Sequence, residues 1–277
     1  MDENEIKALV FLLEDEDREI LKMVEQKLSS LGTSAIPYLE QALDNENKSE
    51  TTERIKKLIR LLHSNQLWQR LRAWKESGGE DLLQGLWIVA TYQFPELTYE
   101  ELKNKLENLY YEVWVEFKDN LHPFDQIKIL NHAIFSKLRF RPNNNDFHAV
   151  ENSMINQILD LKKSNPIGLC VVYMLLARKL GVPLSGINLP NLFILTYKMQ
   201  GMQFYINVFN KGLIFSRADI ENYITQLNLP QEQAFYEPCT NLDILERVLR
   251  NLTVAFERNK DKEKANEIKK FLDFLEE

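Results

Sequence analysis

Three features of the 277-residue chain predict an α+β fold in which helices predominate. Apolar residues recur at three- and four-residue spacing from Ile6 to Trp74, the period of a helix with one buried face. The run Ile167 to Leu180 is apolar on nearly all sides, as expected of a helix enclosed by the rest of the fold. Two β-favouring runs, Phe193 to Tyr197 and Phe204 to Val208, stand close enough to pair through a turn containing Gln200 and Gly201.

The first helices are marked by Ile6, Leu9, Val10 and Leu13, then by Ile20, Leu21, Val24, Leu28 and Leu31. Gly32 fits a helix end, and Ala35-Ile36-Pro37-Tyr38-Leu39 restarts the pattern. A helix, a glycine stop and A-I-P-x-L resemble one HEAT-type pair, and a single pair does not establish a solenoid. The polar run Asp44 to Glu53 is expected to be a loop or an exposed helix start. Helix resumes through Ile55, Leu58, Ile59 and Leu62 to Trp74, and Ser77-Gly78-Gly79 marks a boundary. Two amphipathic helices are then expected between Glu80 and Lys118, with Trp87 and Trp114 as core aromatics. A helix from Phe124 to Phe135 follows, then a surface loop at Arg141 to Asp146 and a short helix from Ser153 to Leu161. After the hairpin, Leu242 to Phe256 and Lys262 to Leu275 form a helical pair. The resulting division is a HEAT-like region at 1–78, a core at 79–238 and a terminal hairpin at 239–277.

Composition narrows the function. The net charge of −7 and a pI near 5.4 disfavour nucleic acid, whose binders carry a clustered basic face. No run approaches the roughly 18 apolar residues of a membrane span, and the acidic start MDENEIKALV is unlike a secretory signal, so a cytoplasmic protein is expected. Cys170 and Cys239 are too few for a disulfide framework or a cysteine-rich metal site. There is no HExxH, CxxC, GxGxxG or GxxxxGK pattern, so neither metal nor cofactor is expected.

The buried helix carries the chemistry. Asn165 or Ser164 is placed to cap it, Pro166 suits its first turn, and Gly181 ends it before Val182-Pro183 leads to the strands. The ordered segments Ile129 to Phe135, Glu151-Asn152-Ser153, Asn165 to Leu169, Ala177 to Gly181, Gly186-Ile187-Asn188-Leu189-Pro190 and Ile206 to Phe209 resemble the SirB-type family of the transglutaminase-like superfamily. Leu249-Arg250-Asn251-Leu252 resembles that family's tail, where a TPR-like region usually follows. The likeness covers roughly residues 82–277 and implies a papain-like core.

Enzymes of the wider superfamily use a Cys-His-Asp triad with the cysteine at the start of the buried helix, where free N–H groups and the helix dipole favour thiolate. The resemblance places the three roles at Pro166, Leu192 and Asn207, none of which is the usual residue. Asparagine alone would be tolerable, since Cys-His-Asn sites work. A missing base costs on the order of 10²–10⁴ in rate, and a missing nucleophile removes the covalent route. A catalytically inactive module that binds or regulates another protein is therefore expected. The alternative is a thiol hydrolase or acyl transferase using Cys170, four residues past Pro166 and about 6 Å along the helix. A buried cysteine is ordinarily a small core residue. Of His63, His122, His132 and His148, the last, beside the polar loop, is the candidate base.

Overall fold

The computed structural model describes residues 3–45, 49–118, 121–199 and 201–277. Two compact units, Met1–Ala73 and Trp74–Glu277, each form around their own contacts.

The first unit holds α1 (Glu3–Phe11), α2 (Arg18–Leu31), α3 (Ile36–Asn45) and the greater part of α4 (Ser49–Glu76). Asp17 caps α2 by accepting the Glu19 N–H, and Gly32 ends it at φ +63°, a conformation costly for other residues. Leu13, Val24, Leu28, Leu39, Ile55 and Leu62 share one core. Of the two expectations for the polar run Asp44 to Glu53, a loop or an exposed helix start, helix is found at its described residues, with α4 beginning at Ser49; 46–48 lie outside the described residues. The physical reason is that Thr51 and Ile55, one turn apart, are both buried and start the inner face of α4.

In the second unit, α5 (Leu82–Ala90) and α6 (Tyr99–Trp114) precede α7 (Pro123–Asn131). A capping box between Thr98 and Glu101 starts α6. Trp87 is half-buried, with its indole N–H donated to the Leu97 carbonyl. Trp114 departs from expectation. It is 57% exposed on the outer face of α6, because the inner face is already set by Leu102, Leu106, Leu109 and Val113.

The segment Arg141 to Asp146 is not wholly a surface loop. Its first residues form β1 (Arg141–Pro142), which pairs in parallel with β2 (Lys163–Ser164) across α8 (Ile155–Leu161), and Asn143 is buried. Next comes α9 (Pro166–Lys179), buried at every position from Pro166 to Ala177.

An antiparallel meander follows in the order β3 (Leu184–Leu189), β4 (Leu192–Met199), β5 (Met202–Asn207) and β6 (Leu213–Phe215). The β4–β5 turn has Gly201 at φ +80°, while Gln200 lies outside the described residues. The outer strands β3 and β6 and the helix α10 (Arg217–Gln226) extend the sequence expectation of two strands with no helix between Val208 and Leu242. The last helices, α11 (Asn241–Arg258) and α12 (Lys262–Glu276), pack against each other.

The sheet separates two apolar layers. Ile187, Leu189, Ile194 and Tyr205 face Ile220 and Ile224 of α10. Alternate residues, among them Phe193 and Leu195, project from the other face, where α9 packs. Leu184 pairs with Tyr197 just after α9 ends, whereas Leu189 pairs with Leu192 at the opposite end. The head of α9, the β3–β4 turn and the end of β5 therefore gather at one end of the sheet.

Replacing Gly168 on α9 should test this packing. A Cβ there would stand 2.0 Å from Ser164 Oγ and 2.8 Å from Ile158 Cδ1. Gly168→Ala is expected to lower stability by about 1–3 kcal/mol in denaturant unfolding, and an unchanged midpoint would contradict the packing described.

Candidate functional site

The head of α9 is closed by polar side chains that serve the backbone. Asn165 caps the helix by accepting the Gly168 N–H at 3.1 Å, and Pro166 occupies its first turn, where no N–H is needed. Ser164, fully buried, donates to the Asn152 carbonyl at 2.9 Å. Asn152 accepts from Asn143 Nδ2 at 3.0 Å and donates to the carbonyls of Asp146 and Phe147 at 2.9 and 3.0 Å. Each of these buried groups has its partner, which fixes the segment 141–153 against the helix. Position 166 thus presents a buried ring, and its neighbours are committed to structure.

The end of β5 is held in a similar way. Asn207 Oδ1 accepts the Asn210 N–H at 3.1 Å, so its side chain caps its own short turn. That turn is tied to the helices by Asn131, which donates to the Gly212 carbonyl at 3.1 Å and accepts from the buried Tyr173 hydroxyl at 2.9 Å. A Cβ on Gly212 would come within 1.9 Å of Asn131 Oδ1, so glycine is required there for close approach as well as for its φ of +73°.

Leu192 opens β4 and packs with the Ile187, Ile194 and Ile220 layer, on the α10 face of the sheet. The α9 face is reached by its neighbour Phe193. An imidazole at 192 on this backbone would enter the α10 layer, with the sheet between it and α9.

Cys170 sits inside the structure. It is 0% exposed, its sulfur donates to the Phe193 carbonyl at 3.4 Å, and it meets the backbone of Val208. The fold therefore places the thiol between the residues that follow Leu192 and Asn207. Burial, the largest cause, pushes its pKa well above the ordinary thiol value, a hydrogen bond from the Val208 backbone pulls the other way, and Cys239 adds to the rise. Cys239, half-buried beside β3, donates its backbone N–H to the Gly186 carbonyl at 2.9 Å. Its thiol is pushed up to about 12, first by burial and then by Asp243.

His148 is half-buried on the loop that Asn152 holds. Its ring lies edge-on to Phe147 at 5.1 Å, and Phe147 in turn meets Phe209 at 6.1 Å. Among the described residues, no imidazole is a hydrogen-bond partner of the Cys170 sulfur. Nor do the described residues group three His, Cys, Asp or Glu side chains as for a metal ion.

Among the residues that build this end of the molecule, Ser164 is a possible helix cap from sequence, whereas sequence assigns no site role to Asn131, Asn152 or Tyr173. For Asn131 and Tyr173 the signal is a polar group inside an otherwise apolar segment.

A pH series tests the state of the thiol. Both cysteines have pKa values raised by folding, so their contribution is intact below the unfolded thiol range and is lost as pH climbs from there toward the folded values. Above pH ~9 each should steepen the fall in unfolding free energy by up to about 1.4 kcal/mol per pH unit. Cys170→Ala is expected to remove its share of that slope, and an identical slope would show a thiol that ionises freely in the folded chain.

Comparison with known proteins agrees with this architecture. A UPF0162 protein of Xylella fastidiosa strain 9a5c is 28% identical over 129 residues, 44% of this chain and 46% of that protein. F-box only protein 21 of mouse and of human is 29% identical over 132 residues, 44% of this chain and 20% of each relative. The chain thus spans about half the length of the UPF0162 relatives and a fifth of the F-box proteins. No solved structure matches. The model of the transglutaminase-like superfamily matches residues 100–250, more than half of the chain, and the chain belongs to that superfamily.

Proposed function

We propose that the chain is a catalytically silent, SirB-type transglutaminase-like protein whose core is kept for its shape and which acts by binding or regulating another protein. The observation that carries this reading is the environment of Cys170: a wholly buried thiol whose partners are backbone groups and whose pKa is driven up by burial. Nucleophilic cysteines need the reverse, an accessible sulfur stabilised as thiolate. Pro166, Leu192 and Asn207 support it, since each is committed to packing or to capping.

Binding would fall to the helices, read as a HEAT-like region at 1–78, a core at 79–238 and a TPR-like hairpin at 239–277. In the first unit a cavity of about 470 Å³ runs beside Leu31, Thr33, Leu62, Gln66 and Trp68. A second, of about 250 Å³, is lined by Val10, Phe11, Tyr38, Ala42 and Ile55. Grooves between paired helices accept amphipathic segments. Relatives named as F-box proteins fit an interaction role. Among the described residues no helix is long and apolar enough to cross a membrane, and we place the protein in the cytoplasm.

The thiol hydrolase or acyl transferase alternative makes the opposite demand on Cys170. Native protein is treated with iodoacetamide at pH 7, and separately with a fluorescent primary amine and a glutamine-containing acceptor protein. The expected result is slow labelling, Cys239 ahead of Cys170, and no amine incorporation. Rapid alkylation of Cys170, or incorporation that Cys170→Ala abolishes, would overturn the silent-core reading.

A further inference from the structure

The end of the sheet that gathers Pro166, Leu192 and Asn207 also holds a cation that sequence reasoning passed over. Arg247 projects from α11, which packs on α9, on β3 and on the turn at Val150–Ser153. Its Nη1 donates to Asn188 Oδ1 at 2.9 Å and to the Leu189 carbonyl at 3.4 Å. The Tyr223 hydroxyl, from the other face of the sheet, donates to the next carbonyl, that of Pro190, at 2.8 Å. Together they hold the β3–β4 turn, in which Asn191 takes φ +57°.

Holding a turn does not need a guanidinium. Both acceptors of Arg247 are neutral, and among the described residues no carboxylate lies within ion-pair distance of it. The nearby Arg250 pairs with Glu276 at 2.7 Å and Glu246 at 3.6 Å, and Asp243 is held in the Thr240 capping box. Arg247 is half-buried, so it gives up much of its hydration without a counter-charge. Burial and the like charge of Arg250 both act against it. Part of its surface still reaches solvent.

We propose that Arg247 is the anchor of a carboxylate-binding site at this end of the sheet. Nη1 is consumed by the turn, which leaves the Nε–Nη2 edge, the planar fork that matches a carboxylate in two parallel hydrogen bonds. Asn188 and Leu189 fix the plane of the guanidinium before any ligand arrives, so little order is lost on binding. The ligand class is a carboxylate, carried either on a chain terminus or on an acidic side chain of a bound peptide. The inference goes beyond the silent-core reading and stands whether or not Cys170 reacts, since it asks nothing of the thiol.

The test follows the Arg247 Nε–H resonance in nitrogen-15 NMR, assigned by its loss in Arg247→Gln, or in Arg247→Lys should the former not fold. Sodium acetate is titrated against sodium chloride at matched ionic strength. The expected result is a saturable shift with acetate, half-complete at a roughly millimolar concentration, and at least tenfold weaker thermal stabilisation by acetate in Arg247→Lys. Two short peptides then separate the sources: one with a free terminal carboxylate and no acidic side chain, and one amidated at its end but carrying glutamate. Whichever moves the resonance at the lower concentration names the source. No shift up to ~0.2 M acetate, an equal shift with chloride, or a response to phosphate alone would overturn the proposal.

Discussion

Burial of α9 on every side is the constraint from which the rest follows. A helix with no exposed face from Pro166 to Ala177 must be enclosed by α8, α11, the sheet and the turn after β5, and its first N–H groups must find partners without water. Asn165 meets that requirement for the Gly168 N–H, while Ser164 and Asn152 hold the chain packed beside it, at the end of the helix where an enzyme of this architecture would keep its nucleophile. On the proposed reading, this buried amide network serves the packing of the helix and presents no nucleophile to a substrate.

The thiol shows how burial settles chemistry. Helix position alone would favour thiolate at the head of α9. Cys170 lies one turn further in, where loss of hydration outweighs what a single backbone N–H of Val208 returns. One helical turn past the head of α9, the sulfur is buried and hydrogen-bonded to the Phe193 carbonyl. The buried Tyr173, one turn on, likewise has its hydroxyl spent on Asn131.

Much of the fold was legible in the sequence because it rests on patterns that the chain must display. The stops at Gly32 and Gly181, the cap at Asn165 and the helices at 241–258 and 262–276 follow from spacing and from capping chemistry. The short strands β1, β2 and β6 were not legible, since two or three residues carry no period and exist only through their partners. Trp114 failed for a related reason: composition says that tryptophan prefers the interior, but only the register of α6 shows which face is inner. At the site, the resemblance points to Pro166, Leu192 and Asn207, yet the direction of Leu192 into the α10 layer needed the strand register, and the contacts of Arg247 join residues some 60 apart in sequence.

The protonation state of Cys170 in the folded protein decides between an inert and a reactive thiol, and the carbon-13 chemical shift of its Cβ across pH 6–10 reads that state directly. A buried neutral thiol bonded to the Phe193 carbonyl predicts a constant thiol shift to at least pH ~9, with denatured protein titrating near the ordinary value of about 8.5. A folded-state midpoint below pH ~8 would contradict it and restore a thiolate to the head of the buried helix.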